Sequence, residues 1–337
     1  MRQLTFVEAG RLEWWDVDEP RLAGDREALV RPLAVATCDL DALIVRGGAP
    51  IEGPFPLGHE CVAEVVEPGE AARLSPGDRV TVPFQISCGE CGRCRLGQTG
   101  HCESVPRLSA YGMGALGGDW GGFLSDVVRV PYADAMLVPL PAGADPEAAA
   151  SVSDNVSDAW RTVSPQLDAA PGAAVLVVGG AGSIGLYAAG IAVALGSESV
   201  DYVDWDADRL ERARRLGANA IEGRFPQRLG PYPITVDSSA EHAGLACAIR
   251  STEPDGVCTS TGIYFEPETP MPLLEAYTKG ITFRTGRVHA RPAIPQVLEL
   301  VASGRLSPEL VTDRVVRWED AADALVDHST KIVVAGP

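Results

Sequence analysis

Ala174-Val-Leu-Val-Val-Gly179, followed at once by Gly180-Ala-Gly182-Ser183-Ile184-Gly185, is the stretch that decides the fold. An uninterrupted apolar run bounded by glycine suits a strand buried on both faces. The helix predicted over 183–195 is itself apolar and opens directly from the glycine turn. Glycines at these positions allow a tight turn and close backbone approach, and a pyrophosphate can meet the N–H groups at the helix start. Working outward, Val200-Asp-Tyr-Val-Asp204 reads as the next strand, 207–216 as a charged helix, and Ile234-Thr-Val-Asp237 as a third strand. A helical stretch then precedes the strand Gly256-Val-Cys-Thr-Ser-Thr261. Strands alternating with helices imply a doubly wound parallel sheet that binds a dinucleotide.

Asp204 closes the second strand, where a carboxylate can accept from both ribose hydroxyls. The same charge would repel a 2′-phosphate, which favours NAD over NADP. Arg209 lies one helical turn further on, either beside the cofactor or as a solvated surface charge.

Upstream, residues 1–140 read as short strands broken by Gly, Pro and Asp, such as Ala28-Leu-Val-Arg-Pro-Leu-Ala-Val35, Cys61-Val-Ala-Glu-Val-Val66 and Asp78-Arg-Val-Thr-Val82. A β-rich domain is expected there, with the Ala-rich stretch 147–163 as a helix leading out of it. Beyond 285 the texture reverts: a helix over 293–303, an extended 311–318, an Ala-rich helix from 319 and the strand Lys331-Ile-Val-Val334. The predicted organisation is therefore a first domain over 1–154, a nucleotide-binding domain over 155–286, and a return of 287–337 to the first. Two domains also suit a chain of 337 residues.

A formal charge of −18 argues against a nucleic-acid partner, which needs a basic face. No apolar run is long enough for a transmembrane span, and the start lacks the layout of a signal peptide, so the expected compartment is the cytoplasm. Four of the eight cysteines crowd into Cys88-Gly-Glu-Cys91-Gly-Arg-Cys94 and Cys102, which in such a protein suits metal ligation better than disulfides. Short spacings with intervening glycines let one loop wrap a tetrahedral zinc. Ferredoxin-like iron–sulfur loops share the first spacings, but the usual Cys-Pro is missing and the fourth cysteine closes the loop. Four thiolates leave no vacant position, so this zinc is structural. Cys38 and Gly58-His59-Glu60 lie upstream. A Cys, a His and one further protein ligand make an open Lewis-acid site.

In order and spacing, Cys38-Asp-Leu-Asp41, Gly58-His59-Glu60, the four-cysteine loop and the later nucleotide fold resemble the medium-chain zinc-containing alcohol dehydrogenase family. The resemblance spans the whole chain. It implies a Rossmann domain joined to a β-rich, GroES-like catalytic domain that carries both zincs. It places the third ligand of the open site at Asp154, with Asp158 the nearest competitor, because Ser153-Asp154-Asn-Val-Ser-Asp158-Ala-Trp160 resembles one branch of the family. It puts Glu60 near the metal, able to enter or leave its coordination, and makes Asp41 the carboxylate that orients His59. Gly262 and Ile263 should lie beside the nicotinamide, and Lys331 should reach the pyrophosphate. A homodimer or homotetramer is also implied.

The implied reaction is hydride transfer between NAD(H) and an alcohol or carbonyl compound. No basic cluster marks an anionic substrate, so a neutral secondary alcohol, polyol, sugar or cyclitol fits. Many relatives move the proton through a hydroxyl and a His at positions that here hold Leu40 and Leu43. The missing relay keeps open a reductase of polarised C=C or C=N bonds, and, as a minor reading, a non-catalytic binding protein. The stretches 85–87 and 111–123, with Trp120, either shape the substrate pocket or pack beside the cysteine loop.

Overall fold

The computed structural model describes residues 1–327 and 329–337. The chain divides into two compact units. The first comprises Met1–Ser157, Val288–Ala302 and Thr312–Pro337, and the second comprises Asp158–Arg287 and Ser303–Val311.

In the first unit, Ala28–Ala36 and Glu60–Pro68 form the antiparallel centre of a seven-stranded sheet. Ile332–Ala335 pairs with Ala28–Ala36 from the other side, again antiparallel. The inward faces of these strands are Val, Ala, Cys and Ile, as expected of a strand pair covered by a core that also holds Phe55, Tyr111, Phe123 and Trp318. Pro32 sits where the ladder slips a residue, which spares a central strand the missing N–H. Ala36 stands opposite both Glu60 and Val333. Residues just past those pairs therefore emerge at one end of the sheet: Thr37 and Cys38, His59, and Lys331.

The second unit is a six-stranded sheet in which every named pairing is parallel. Val175–Val178 is central, flanked by Val200–Asp204 and Tyr232–Asp237. Asn219–Glu222, Thr252–Ser260 and Thr282–Arg284 extend it outward. The chain thus leaves its first strand in both directions, the arrangement of a doubly wound fold with a switch point beside that strand. The fold is a Rossmann-like parallel sheet together with a GroES-like β-rich unit. The helix Ile184–Ala194 is apolar all round and buried along almost its whole length, which explains its lack of a polar face. Gly185 suits this close approach, since a Cβ would crowd the Ser238 side chain at 3.1 Å.

Several elements were not foreseen: the hairpin Arg2–Glu8 with Arg11–Asp16, the edge strands Asn219–Glu222 and Thr282–Arg284, and the helix Leu273–Lys279. A short helix, Asp39–Val45, also follows Cys38 directly.

Candidate metal centres and dinucleotide turn

Cys38 caps the helix Asp39–Val45 in extended conformation, and its backbone N–H donates to Asp41 Oδ2 at 2.9 Å. That bond fixes the Asp41 carboxylate, whose other oxygen lies 3.1 Å from His59 Nδ1. The short helix Ala150–Ser153 is pinned to Glu60–Pro68 by Ser153, whose hydroxyl accepts from Cys61 N at 2.8 Å. Asp154 follows directly, and its Oδ2 stands 3.4 Å from His59 Nε2. One donor atom each from Cys38, His59 and Asp154 lies within 4.8 Å of the others, and all three residues are buried.

These residues fit a metal ion. Neither ring nitrogen of His59 has a well-directed hydrogen bond among the described residues, although the side chain is wholly buried. With its Nδ1 proton toward Asp41, Nε2 turns a lone pair toward a carboxylate oxygen and a sulfur. Three electron-rich atoms converging in a buried site are repulsive unless a cation sits among them. The ionisation tendencies agree. Burial, and then the charge of Asp154, push the Cys38 thiol far up. Burial works against a charged His59, but Asp41 and Cys38 carry it well above its ordinary value. A dication at this point reverses both tendencies.

Cys88, Cys91, Cys94 and Cys102 form the second cluster, also within 4.8 Å, and none is in a disulfide. The loop supplies N–H groups to the sulfurs: Cys91 N to Cys88 Sγ at 3.3 Å, Cys94 N and Glu103 N to Cys91 Sγ at 3.4 Å each, and Cys88 N to Cys102 Sγ at 3.4 Å. Ser104 Oγ adds a bond of 3.2 Å to Cys88 Sγ. Against the effect of burial, that hydroxyl and the N–H groups of Glu90 and Cys91 hold Cys88 below the usual thiol range. Such donors favour thiolates and hence a tetrahedral metal. Gly89 has φ +76°, and a Cβ would meet Ala135 at 2.7 Å.

In the second unit, the glycine turn closes the central strand at the switch point, with Gly180 at φ +122° and Trp205 packed where its Cβ would be. Asp204 is fully buried. Its Oδ1 accepts from Trp205 N, Asp206 N and Arg209 Nη2, and its Oδ2 from Tyr202 OH and Arg209 Nε. Arg224 lies 4.7 Å over the Trp205 ring, and Phe225 meets that ring edge-on.

The sequence profile of the alcohol dehydrogenase GroES-like domain matches residues 24–142. An alcohol dehydrogenase of Thermus sp. ATN1 is 32% identical and superposes with a TM-score of 0.89, covering 100% of both chains. This chain belongs to the medium-chain zinc-containing alcohol dehydrogenase family. It is an oxidoreductase. A probable zinc-binding alcohol dehydrogenase of Mycobacterium tuberculosis is 28% identical over 96% of this chain and 84% of its own. A glutathione-independent formaldehyde dehydrogenase of Bacillus subtilis is 29% identical over 89% of this chain and 83% of its own.

In this alcohol dehydrogenase, the geometry brings Cys38, His59, Asp154 and Asp41 together as the sequence suggested. Asp158 does not join them; its carboxylate forms an ion pair with Arg161. Glu60 is adjacent, but its oxygens are not in the converging set. Lys331, expected to reach the pyrophosphate, has a fully buried side chain paired with Glu60 at 2.8 Å. Of the two readings of Arg209, the solvated surface charge falls away, since the side chain is buried in a two-pronged pair with Asp204. Gly182, Ser183 and Ile184 lie in or just after the glycine turn, and Gly262 and Ile263 follow the strand Thr252–Ser260, with Ile263 exposed.

Asn155 was missed. It receives the Cys38 thiol at 3.2 Å on Oδ1, and its backbone N–H donates to Glu60 Oε1 at 3.3 Å. Its place directly after Asp154 was the only available signal. Leu40, the departure from the family pattern, packs against the cluster of Phe84, Ala110, Met113, Val288 and Ala290 and offers no hydroxyl. Gln85 is a packing residue that donates to Val288 O at 2.7 Å, and the buried Tyr111 donates to Arg129 O at 2.9 Å.

Proposed function

We propose that this alcohol dehydrogenase transfers hydride between NAD(H) and a neutral alcohol or its carbonyl product, a secondary alcohol, polyol, sugar or cyclitol. The carrying observation is the convergence of Cys38, His59 and Asp154, three protein donors that leave a fourth position for substrate. A zinc held there supplies a Lewis acid. Asp41 fixes the imidazole ring so that Nε2 faces inward, and Ser153 holds the turn that presents Asp154. Cys88, Cys91, Cys94 and Cys102 hold a second, structural zinc.

On the cofactor side, the backbone N–H groups around Gly180 to Gly185 receive the pyrophosphate. Asp204 and Arg209 meet the adenosine ribose as a unit, since every strong acceptor direction of the carboxylate is already used. Gly262 and Ile263 are read as lying beside the nicotinamide. The retained carboxylate supports NAD, and its pairing with Arg209 softens the rejection of a 2′-phosphate.

Leu40 supports a second reading, reduction of a polarised C=C or C=N bond. Thr37, the nearest hydroxyl in sequence, cannot stand in as a relay because Oγ1 accepts from Ile332 N at 3.0 Å and donates to Ile332 O. We also read the protein as a homo-oligomer, a reading supported by Leu273, Leu274 and Tyr277, which lie largely exposed on one helix; light scattering checks it. A panel of alcohols, polyols, enones and imines with NAD(H) and NADP(H) tests the reaction. Turnover confined to enones or imines would overturn the alcohol reading. Metal analysis should return two zinc ions per chain, and one in Cys38→Ser.

A further inference from the structure

Asp237 and Ser260 end neighbouring parallel strands of the second unit and stand opposite each other, at the carboxyl edge where ligands of such sheets bind. Residues 261–272, which leave that edge, form neither helix nor strand, and Ile263 and Phe265 are exposed. Such a segment has no ladder to fix it, so its order depends on side chains. The buried Asp237 supplies that order. Its Oδ2 accepts from the Ser260 hydroxyl at 2.7 Å and from the Tyr264 hydroxyl at 2.9 Å. Ser260 Oγ in turn accepts from Gly262 N at 3.3 Å, and the Asp237 carbonyl accepts from Thr261 N at 2.9 Å. Gly262 and Ile263 are thus anchored on both sides to one residue. A further tie, Glu266 with His242 at 2.7 Å, lies on the surface. The packing is equally close. A Cβ on Gly262 would meet the Tyr264 ring at 2.9 Å and the Ala240 Cα at 3.2 Å. Ala240 itself keeps φ +52°, a conformation that persists in an alanine only where its surroundings over-determine it.

We propose that Tyr264 is a positioning residue: bonded to Asp237, it sets the Gly262–Ile263 backbone in place before the nicotinamide half of the cofactor arrives. This rests on the reading of Gly262 and Ile263 as lying beside the nicotinamide. A segment ordered in advance spares the binding step the entropy of ordering it. Among the described residues, the Tyr264 hydroxyl bonds to Asp237 and to the Glu241 carbonyl, and to neither Asp204 nor the glycine turn. The adenosine half should therefore not sense its loss.

Titration with NADH and with ADP-ribose, which lacks the nicotinamide, separates the two halves. In Tyr264→Phe, which keeps the ring, the affinity for NADH should fall about tenfold, the worth of one hydrogen bond to a charged group, while that for ADP-ribose stays unchanged. Hydrogen exchange of the 262–265 amides should accelerate in the free variant, with those of Val175–Val178 protected as before. Ser260→Ala, which removes the other anchor, should give the same split between the two ligands, and it carries the test where Tyr264→Phe does not fold. Equal losses for NADH and ADP-ribose would mark the network as general support of the unit and overturn the proposal. If the unsubstituted protein bound NADH no better than ADP-ribose, the reading of Gly262 and Ile263 would fall, and the proposal with it. A preference for NADH that survives intact in Tyr264→Phe removes only the role of Tyr264.

Discussion

Arg209 grips Asp204 with two nitrogen–oxygen contacts of 2.8 Å, on a carboxylate that solvent does not reach. Burial disfavours the charge of Asp204, but Arg209 and the Asp206 N–H hold its carboxyl below the usual range. Removing one partner of such a pair strands the other as a buried charge. Asp204→Ala is therefore expected to cost about 3–5 kcal/mol of stability, apart from any effect on cofactor binding. Denaturant unfolding measures it. A cost below about 1 kcal/mol, the range of exposed pairs, would show that the pair is less buried in solution.

Asp41 both caps a helix and faces His59 Nδ1. Asp41→Asn keeps an acceptor for the Cys38 N–H but weakens the hold on the imidazole. Metal affinity of the open site should fall by roughly 10- to 100-fold while the melting temperature of the zinc-loaded protein stays nearly constant. Competition with a chelator gives the affinity. Equal losses at both zinc sites would point to general damage instead.

Cys94 is buried inside the four-cysteine loop and donates its N–H to Cys91 Sγ. Cys94→Ser should lose the structural zinc and loosen the loop, since metal affinity there is folding free energy. Hydrogen exchange of the loop amides should accelerate while those of the strand Val175–Val178 stay protected. Uniform protection would refute a structural role for this metal.

Asp237, in the second unit, is buried and accepts from Ser239, Ser260 and Tyr264, and among the described residues it forms no ion pair. Burial raises its carboxyl above the ordinary value despite those donors. The folded protein then keeps a proton that the unfolded chain has released. Its contribution to stability is full below the unfolded value of about 3.9 and is lost as pH rises through the folded one. Asp237→Asn lacks that loss, so the melting temperature of the variant should gain on the parent as pH rises from about 4. A pH-independent difference would show that Asp237 ionises normally.

Local patterns carried most of the architecture. The apolar run Val175–Val178, the glycine turn after it and Asp204 at the end of the next strand each need only neighbouring residues to be read. The four-cysteine loop is likewise local, and Cys38, His59 and Asp154 were found because the order of motifs resembles a family. What stayed hidden depends on register. Nothing near Lys331 in the sequence shows that Val333 pairs with Ala36, so the Glu60–Lys331 pair could not be read. Arg209 was left open between two readings for a related reason. The helix Ala207–Arg215 starts so soon after the strand, capped by Asp206, that its first turn folds back over Asp204. The edge strands Asn219–Glu222 and Thr282–Arg284 are short, and only half-buried or exposed, so they lack the apolar pattern that marks a strand.

The long span between Thr37 and Lys331 bears on how the protein is made. A chain leaving the ribosome presents Cys38, His59 and Glu60 early, and the ammonium that neutralises Glu60 only after the entire nucleotide-binding unit has been translated. Until then Glu60 lacks the cation that it meets in the finished sheet. Biogenesis of the site is therefore a late event, timed by the arrival of one strand.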